Sequence, residues 1–299
     1  MTHFALTQTD STSSEARRRL LAGEMPPFAL SALRQTAGRG RQGRAFFSPE
    51  GGVYLTVALP TDALPVTEAV PLTVRAAVSV AESIEAQAGL SLGIKWVNDL
   101  YFRGKKVAGI LAEAVTDPET GRLRAILVGV GINLTPPPAD TSFPDDLSLA
   151  GGLFDTLPAD TALRERLTTA VAQGLFCDLM TAPRAENKSI APPEGATKKA
   201  APAKNLPTGN VLAGDAIADD VLTGDAPTGN TRADDVPAGD VLTRYRQRST
   251  VLGKDVVFWQ NGTRFEGHAL DIDEEGALLV LVDGERRRLT SGEITLRTV

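Results

Sequence analysis

Apolar residues recur at helical spacing in two long stretches. Val74, Ala77, Val78, Ala81, Ile84 and Ala88 share one face of a 3.6-residue period, and Gly89 supplies a stop, so a helix is expected over Val70–Ala88. Leu163, Leu167, Val171, Leu175 and Leu179 predict a second helix over Thr161–Met180. A shorter helix is expected from Thr12 to Gly23, with Thr12 as its cap and Glu15 closing a capping box. Val53–Leu59 alternates and is β-branched, which predicts a strand. Phe28–Leu33, Ile94–Trp96 and the apolar run Leu123–Asn133 also read as strands. Leu100–Phe102 and Lys106–Ala114 flank Arg103-Gly104 and read as a hairpin. Near the C-terminus, Val256–Trp259, Arg264–Asp271, Leu278–Val282 and Arg286–Leu289 are short strands joined by Asn-Gly, Glu-Gly and Asp-Gly turns, the pattern of a small barrel.

The pattern fails in between. From Cys177 to Arg244 there is no aromatic residue, and 211–240 hold a decaying ten-residue repeat rich in Gly, Asp and Ala. Such a stretch cannot bury enough apolar area to offset its ordering entropy. Residues 184–240 are therefore expected to be a low-complexity, disordered insertion, separating a larger domain (1–183) from a small β domain (241–299).

Charge and composition narrow the function classes. The 299 residues are 42% hydrophobic and carry a net charge of −6, which disfavours any global attraction to nucleic acid or an anionic membrane. The single Cys177 excludes an intramolecular disulfide and suits a reducing compartment, so the cytoplasm is expected. With only His3 and His268, a His/Cys metal site is not expected. No apolar run reaches the roughly 20 residues that span a bilayer, and the N-terminus lacks a basic, then apolar, secretory pattern.

Three segments carry candidate chemistry. In Gly38-Arg-Gly-Arg-Gln-Gly-Arg44, glycines let the backbone approach a phosphate and arginines donate charged hydrogen bonds. It is neither a Walker A loop nor a dinucleotide fingerprint; a solvated loop or an Arg-Gly RNA-binding segment is the alternative. Lys95-Trp-Val-Asn-Asp99, followed by Lys106 and Gly109-Ile-Leu-Ala-Glu113, groups lysine, asparagine and carboxylate around one strand–turn–strand unit, fit either for phosphoryl chemistry or for a plain capped hairpin. Gly129-Val-Gly131-Ile-Asn133 places two glycines on a strand where something approaches closely, or where packing requires them.

In this order and spacing the three segments resemble one family, the biotin protein ligases (biotin–[acetyl-CoA-carboxylase] ligase). Asp10-Ser-Thr-Ser13 upstream is similar to that family's Asp-Ser-Thr-Asn, and Leu252-Gly-Lys254, Gly276-Ala-Leu278 and Ser291-Gly-Glu-Ile294 are similar to its C-terminal domain. The resemblance covers residues 4–180 and 244–299. It implies an α+β fold: a mixed-sheet catalytic domain that binds biotin and ATP, with flanking helices, and a small SH3-like β-barrel. It also implies a two-step reaction with ATP, biotin and Mg²⁺: biotinyl-5′-AMP forms, and biotin then passes to a lysine of a biotin carboxyl carrier protein. By resemblance, Ser11, Thr12, Ser13 and Gln35 line the biotin end. Arg39, Gly40 and Arg41 cover biotin and the adenylate, with Arg41 also in a catalytic role, and Arg44 points at the phosphates. Lys106 is the main charge stabiliser, and Phe46 stacks on adenine. Asn98 and Asn133 face the nucleotide, Asp99 orients or deprotonates the incoming lysine, and Gly109, Gly129 and Gly131 shape the floor. Ser13, Val97 and Phe46 stand where the family often has Asn, Pro and Trp. No helix-turn-helix precedes the catalytic part, which is expected of the monofunctional form without DNA binding. Homodimer formation is left open. A lipoate–protein ligase on a related fold and an Arg-Gly RNA-binding adaptor are the competing readings.

Overall fold

The computed structural model describes residues 1–61, 69–138, 150–180, 240–260, 262–290, 292 and 294–296. The expected insertion at 184–240 falls outside the described residues except for Asp240.

The larger part is a seven-stranded mixed sheet in the order β1-β2-β3-β7-β6-β5-β4. Its strands are β1 (Thr2–Thr9), β2 (Phe28–Gln35), β3 (Val53–Leu59), β4 (Gly93–Lys95), β5 (Asp99–Phe102), β6 (Lys105–Thr116) and β7 (Leu123–Ile132). Only β1 and β2 run parallel; helix α1 (Thr12–Leu21) makes the crossover that a parallel pair needs. Every residue of β3 is buried, as a central strand covered on both faces requires. Side chains alternate between faces. Val53, Leu55, Val57 and Leu59 pack with helices α2 (Ala69–Ala88) and α3 (Leu163–Met180). Ala58, Ala125, Leu127 and Val115 pack with Ala16 and Leu20 of α1 on the opposite face. The same alternation puts Thr56, Gly129, Gly131, Gly109 and Glu113 on the α1 face. The site is built there.

Helix α4 (Val241–Arg248) leads into β8 (Asp255–Gln260), β9 (Thr263–Ile272), β10 (Leu278–Val282), β11 (Glu285–Leu289) and β12 (Ile294–Leu296). These form an antiparallel sheet in the order β11-β10-β9-β8-β12. Among the described residues its end strands do not pair, so the small barrel is open. Its apolar face, including Phe258, Ile272 and Val280, is continuous with the main core. Polar ties reinforce the join: Trp96 Nε1 donates to the Gly276 carbonyl at 3.0 Å, and Thr250 N to the Ile94 carbonyl at 2.9 Å. No helix of the described residues is long and apolar enough to cross a membrane.

Three local expectations are corrected. Helix α1 is capped at Ser11, not Thr12. Thr12 is already helical and its hydroxyl is engaged elsewhere, while Glu15 pairs with Arg18 and Arg19 instead of closing a capping box. Strand β1 was not expected from the sequence: as an edge strand it is half-exposed and its pattern is too polar to stand out. Helix α4 was also missed. It is short and charged; Asp240 caps it, accepting from Thr243 N at 2.8 Å.

Candidate active site

A buried polar chain runs across the α1 face. Thr12 N and Oγ1 both donate to Gln35 Oε1, at 2.7 and 3.1 Å. Thr56 Oγ1 donates to Thr12 Oγ1 at 2.9 Å and lies 3.1 Å from Ser13 Oγ. Gln35 Nε2 donates to Ser48 Oγ at 2.7 Å, and Ser48 donates to the Phe46 carbonyl. Ser11, Thr12, Ser13, Ser48 and Thr56 are all buried. Buried hydroxyls generally pair: here Thr12, Thr56 and Ser13 pair with one another and Ser48 with Gln35 and the Phe46 carbonyl, leaving a row of reorientable donors and acceptors. Beside them Asp10 braces the start of α1. Arg18 grips its carboxylate with both Nη atoms and Ser11 N donates to it, so the Asp10 carboxyl lies well below the usual carboxylate range, chiefly through Arg18.

Cations gather at the other end. Residues 38–46 fold back on themselves: Phe46 N donates to Gly38 O, Arg39 bridges Ala45, and Gly40 N donates to Arg44 O. The sequence suggests a loop, and backbone pairing folds that loop into a short hairpin around the 3₁₀ turn Arg41–Gly43. Side chains pin it to the sheet. Arg39 Nη2 lies 2.8 Å from Glu113 Oε1, and Arg41 Nη1 donates to Asn98 Oδ1 at 3.0 Å. Asn98 is itself fixed, its Nδ2 donating to the Ile110 carbonyl. Lys106 Nζ lies 2.8 Å from Asp99 Oδ1.

The glycines explain how these groups fit together. A Cβ on Gly129 would stand 2.7 Å from Ser13 Oγ, and one on Gly131 only 2.4 Å from the Phe46 ring. Gly109 faces Lys106 Cε, Phe46 and Asp99 Oδ1 at ordinary contact distances. The Phe46 ring therefore lies over the floor between Gly109 and Gly131, edge-on to Tyr54 with centroids 6.5 Å apart.

The structure thus brings Thr12, Ser13 and Gln35 together at one end, and Arg39, Arg41, Asn98, Asp99 and Lys106 at the other, with Phe46 and the three glycines between. Ser11 caps α1 beside this assembly, its N donating to Asp10 and its carbonyl accepting from Glu15 N. Asn133, at the end of β7, is held by backbone bonds to Val107 and Leu153. Gly40 and Arg44 close the hairpin through their backbones, and the Arg44 side chain is exposed. A cleft of about 400 Å³ opens beside the polar chain, with Gln35, Gly38, Phe46 and Ser48 among its walls.

Sequence reasoning missed Thr56, Ser48 and Arg17. Thr56 carried a signal: it is the polar residue inside an otherwise apolar strand. Ser48 and Arg17 carried none, since only the fold sets Ser48 against Gln35 and Arg17 within 3.8 Å of Glu113.

Residues 6–133 match the Biotin/lipoate A/B protein ligase family, and residues 251–297 match the Biotin protein ligase C terminal domain. The chain is 40% identical over 148 residues to the bifunctional ligase/repressor BirA of Bacillus subtilis, 48% of this chain and 42% of that protein. It is 35% identical over 147 residues to the biotin–[acetyl-CoA-carboxylase] ligase of Mycobacterium tuberculosis, 48% of this chain and 52% of that one. The matches span about half the length of these relatives. Among solved structures, the biotin protein ligase from Aquifex aeolicus in complex with biotin and ATP shares the fold, with a TM-score of 0.63 at 21% identity over 100% of this chain and 99% of that one.

Proposed function

Because the chain belongs to the biotin protein ligases, joining a domain of the biotin/lipoate ligase family to that family's C-terminal domain, we propose that it activates biotin with ATP and transfers it to a lysine of a biotin carboxyl carrier protein. One observation supports this reading above the others: a polar hydrogen-bonding row and a cluster of three cations meet across a glycine floor. The row suits a small cyclic urea, which both donates and accepts. The cations suit a carboxylate meeting a phosphate.

In the first step a biotin carboxylate oxygen bonds to the α-phosphorus of ATP, the bond to the bridging oxygen breaks, and pyrophosphate leaves. Negative charge grows on the α-phosphate, and Lys106 and Arg41 stabilise it. Lys106 must then leave Asp99 for the substrate. In the second step the carrier lysine's amine attacks the acyl carbon, AMP leaves, and Asp99 takes the amine's proton. Mg²⁺ is proposed to arrive on the triphosphate. Among the described residues no cluster of three or more His, Cys, Asp or Glu side chains gathers, and both site carboxylates already face cations. These residues do not fit a metal cage built by the protein. A cytoplasmic location is part of the same proposal, because ATP and a carboxylase carrier are available there.

Biotin-dependent exchange of ATP with pyrophosphate tests the reading. Exchange is expected with biotin and not with lipoate or octanoate as the only acid; exchange with lipoate alone would replace it with the lipoate reading. A second outcome is expected at Arg39. This side chain ties the hairpin to Glu113, so Arg39→Ala should loosen the cover and let biotinyl-5′-AMP escape. Free adenylate in the filtrate and labelling of bystander lysines are the measurements. A variant that retains the adenylate like the parent would remove the hairpin's covering role.

A further inference from the structure

Tyr245, on α4, is fully buried, and its hydroxyl has no hydrogen-bond partner among the described residues. An unpaired buried hydroxyl is destabilising, and native structures generally supply a partner. The surroundings name a candidate. Helix α4 is fastened to α2 by Arg244–Glu82 and Arg248–Glu85 ion pairs, and it packs against β4. Strand β4 pairs with β5 so that Lys95 stands opposite Asp99. The phenol is carried by the helix that packs against β4. Burial pushes it well above its ordinary range, with the Asp99 charge adding to that, so it stays a neutral donor.

Asp99 has the complementary vacancy. Its Oδ1 is buried and, although Lys106 Nζ is 2.8 Å away, that approach lacks the angle of a hydrogen bond. The small C-terminal domain also holds the other end of this turn, through Trp96 Nε1 and the Gly276 carbonyl. The Trp96 end of segment 96–99 therefore touches a group that follows residue 239, and β4, which pairs with the Asp99 end, packs against α4.

We propose that Tyr245 is a positioning residue for Asp99: once Lys106 has turned to the substrate, the Tyr245 hydroxyl donates to Asp99 Oδ1 and holds the carboxylate toward the incoming lysine amine. The phenol keeps its proton throughout; the amine's proton goes to Asp99. This rests on the acyl-adenylate reading above. It makes α4 part of the transfer step and not of adenylation, because adenylation uses Lys106 and Arg41.

The test is Tyr245→Phe in the full chain. It removes one unpaired oxygen and keeps the ring, so the Tm should be unchanged or higher. Biotin-dependent pyrophosphate exchange should stay within about twofold of the parent. Single-turnover transfer from enzyme-held biotinyl-5′-AMP to a purified biotin carboxyl carrier domain should fall about tenfold at saturating carrier, with the carrier KM unchanged. In an Asp99→Asn background the same substitution should have no further effect, since coupled residues are not additive. Unchanged transfer, an equal loss of exchange, or full additivity with Asp99→Asn would each overturn the inference. A parent without biotin-dependent exchange would instead overturn the functional reading, and the inference with it.

Discussion

Lys106→Ala is expected to lower biotin-dependent pyrophosphate exchange by on the order of 10²-fold or more, since one preorganised charge at a developing oxyanion is worth roughly 3–4 kcal/mol. The ammonium sits half-exposed over the floor, beside Gly109 and 2.8 Å from Asp99. Arg41, the other cation assigned to the α-phosphate, remains in the variant but is held by Asn98, and Arg39 is held by Glu113, so neither replaces the lost ammonium in full. Lys105 supplies the control. It is adjacent on β6, so its side chain leaves on the opposite face, where a Cβ at Gly151 would meet it at 2.5 Å. Lys105→Ala should leave exchange within about twofold. Equal, small effects of the two substitutions would remove the site from this face of the strand.

The largest loss of stability is expected at Arg248. Its side chain is 4% exposed and donates to Glu85 Oε2 at 2.7 Å, with Glu82 3.4 Å away. Glu85 in turn accepts from Leu92 N just before β4. Removing one partner of a buried pair leaves a buried charge unbalanced, which costs about 3–5 kcal/mol. Arg248→Met keeps the apolar stem and should still lower the Tm by roughly 6–12 °C, converting about 3 kcal/mol at this chain size. Adding Glu85→Gln should recover part of that loss, because the stranded charge goes with it. An unchanged Tm for Arg248→Met would mean that apolar packing alone fastens α4.

The sequence carried the fold where burial is one-sided or complete. Val53–Leu59, read from its alternation, and Leu278–Val282, read from the Gly turns that bound it, both form the expected strands. The α2 and α3 stripes bury against the sheet as their spacing requires, with Leu167, Val171 and Leu175 buried. It failed at β1 and α4, where exposure weakens the pattern and ends are set by partners distant in the chain. The 26-residue separation across the parallel β1–β2 pair, as in Thr2↔Phe28, has no local signature.

The site divides in the same way. Residue types in short segments marked out its cations and glycines as candidates, because charge and room for close backbone approach are local properties. Arg39, Arg41, Asn98, Asp99, Lys106, Gly109, Gly129 and Gly131 were legible for that reason. Only the tertiary structure decided which hydroxyls join Ser13, that Phe46 lies over Gly131, and that Tyr245 from beyond residue 239 is buried on a helix packed against β4. Period-two alternation places a residue on a face, but which strand lies alongside depends on sheet order. In this protein β3 pairs with β7, and that crossover sets Thr56 opposite Gly129.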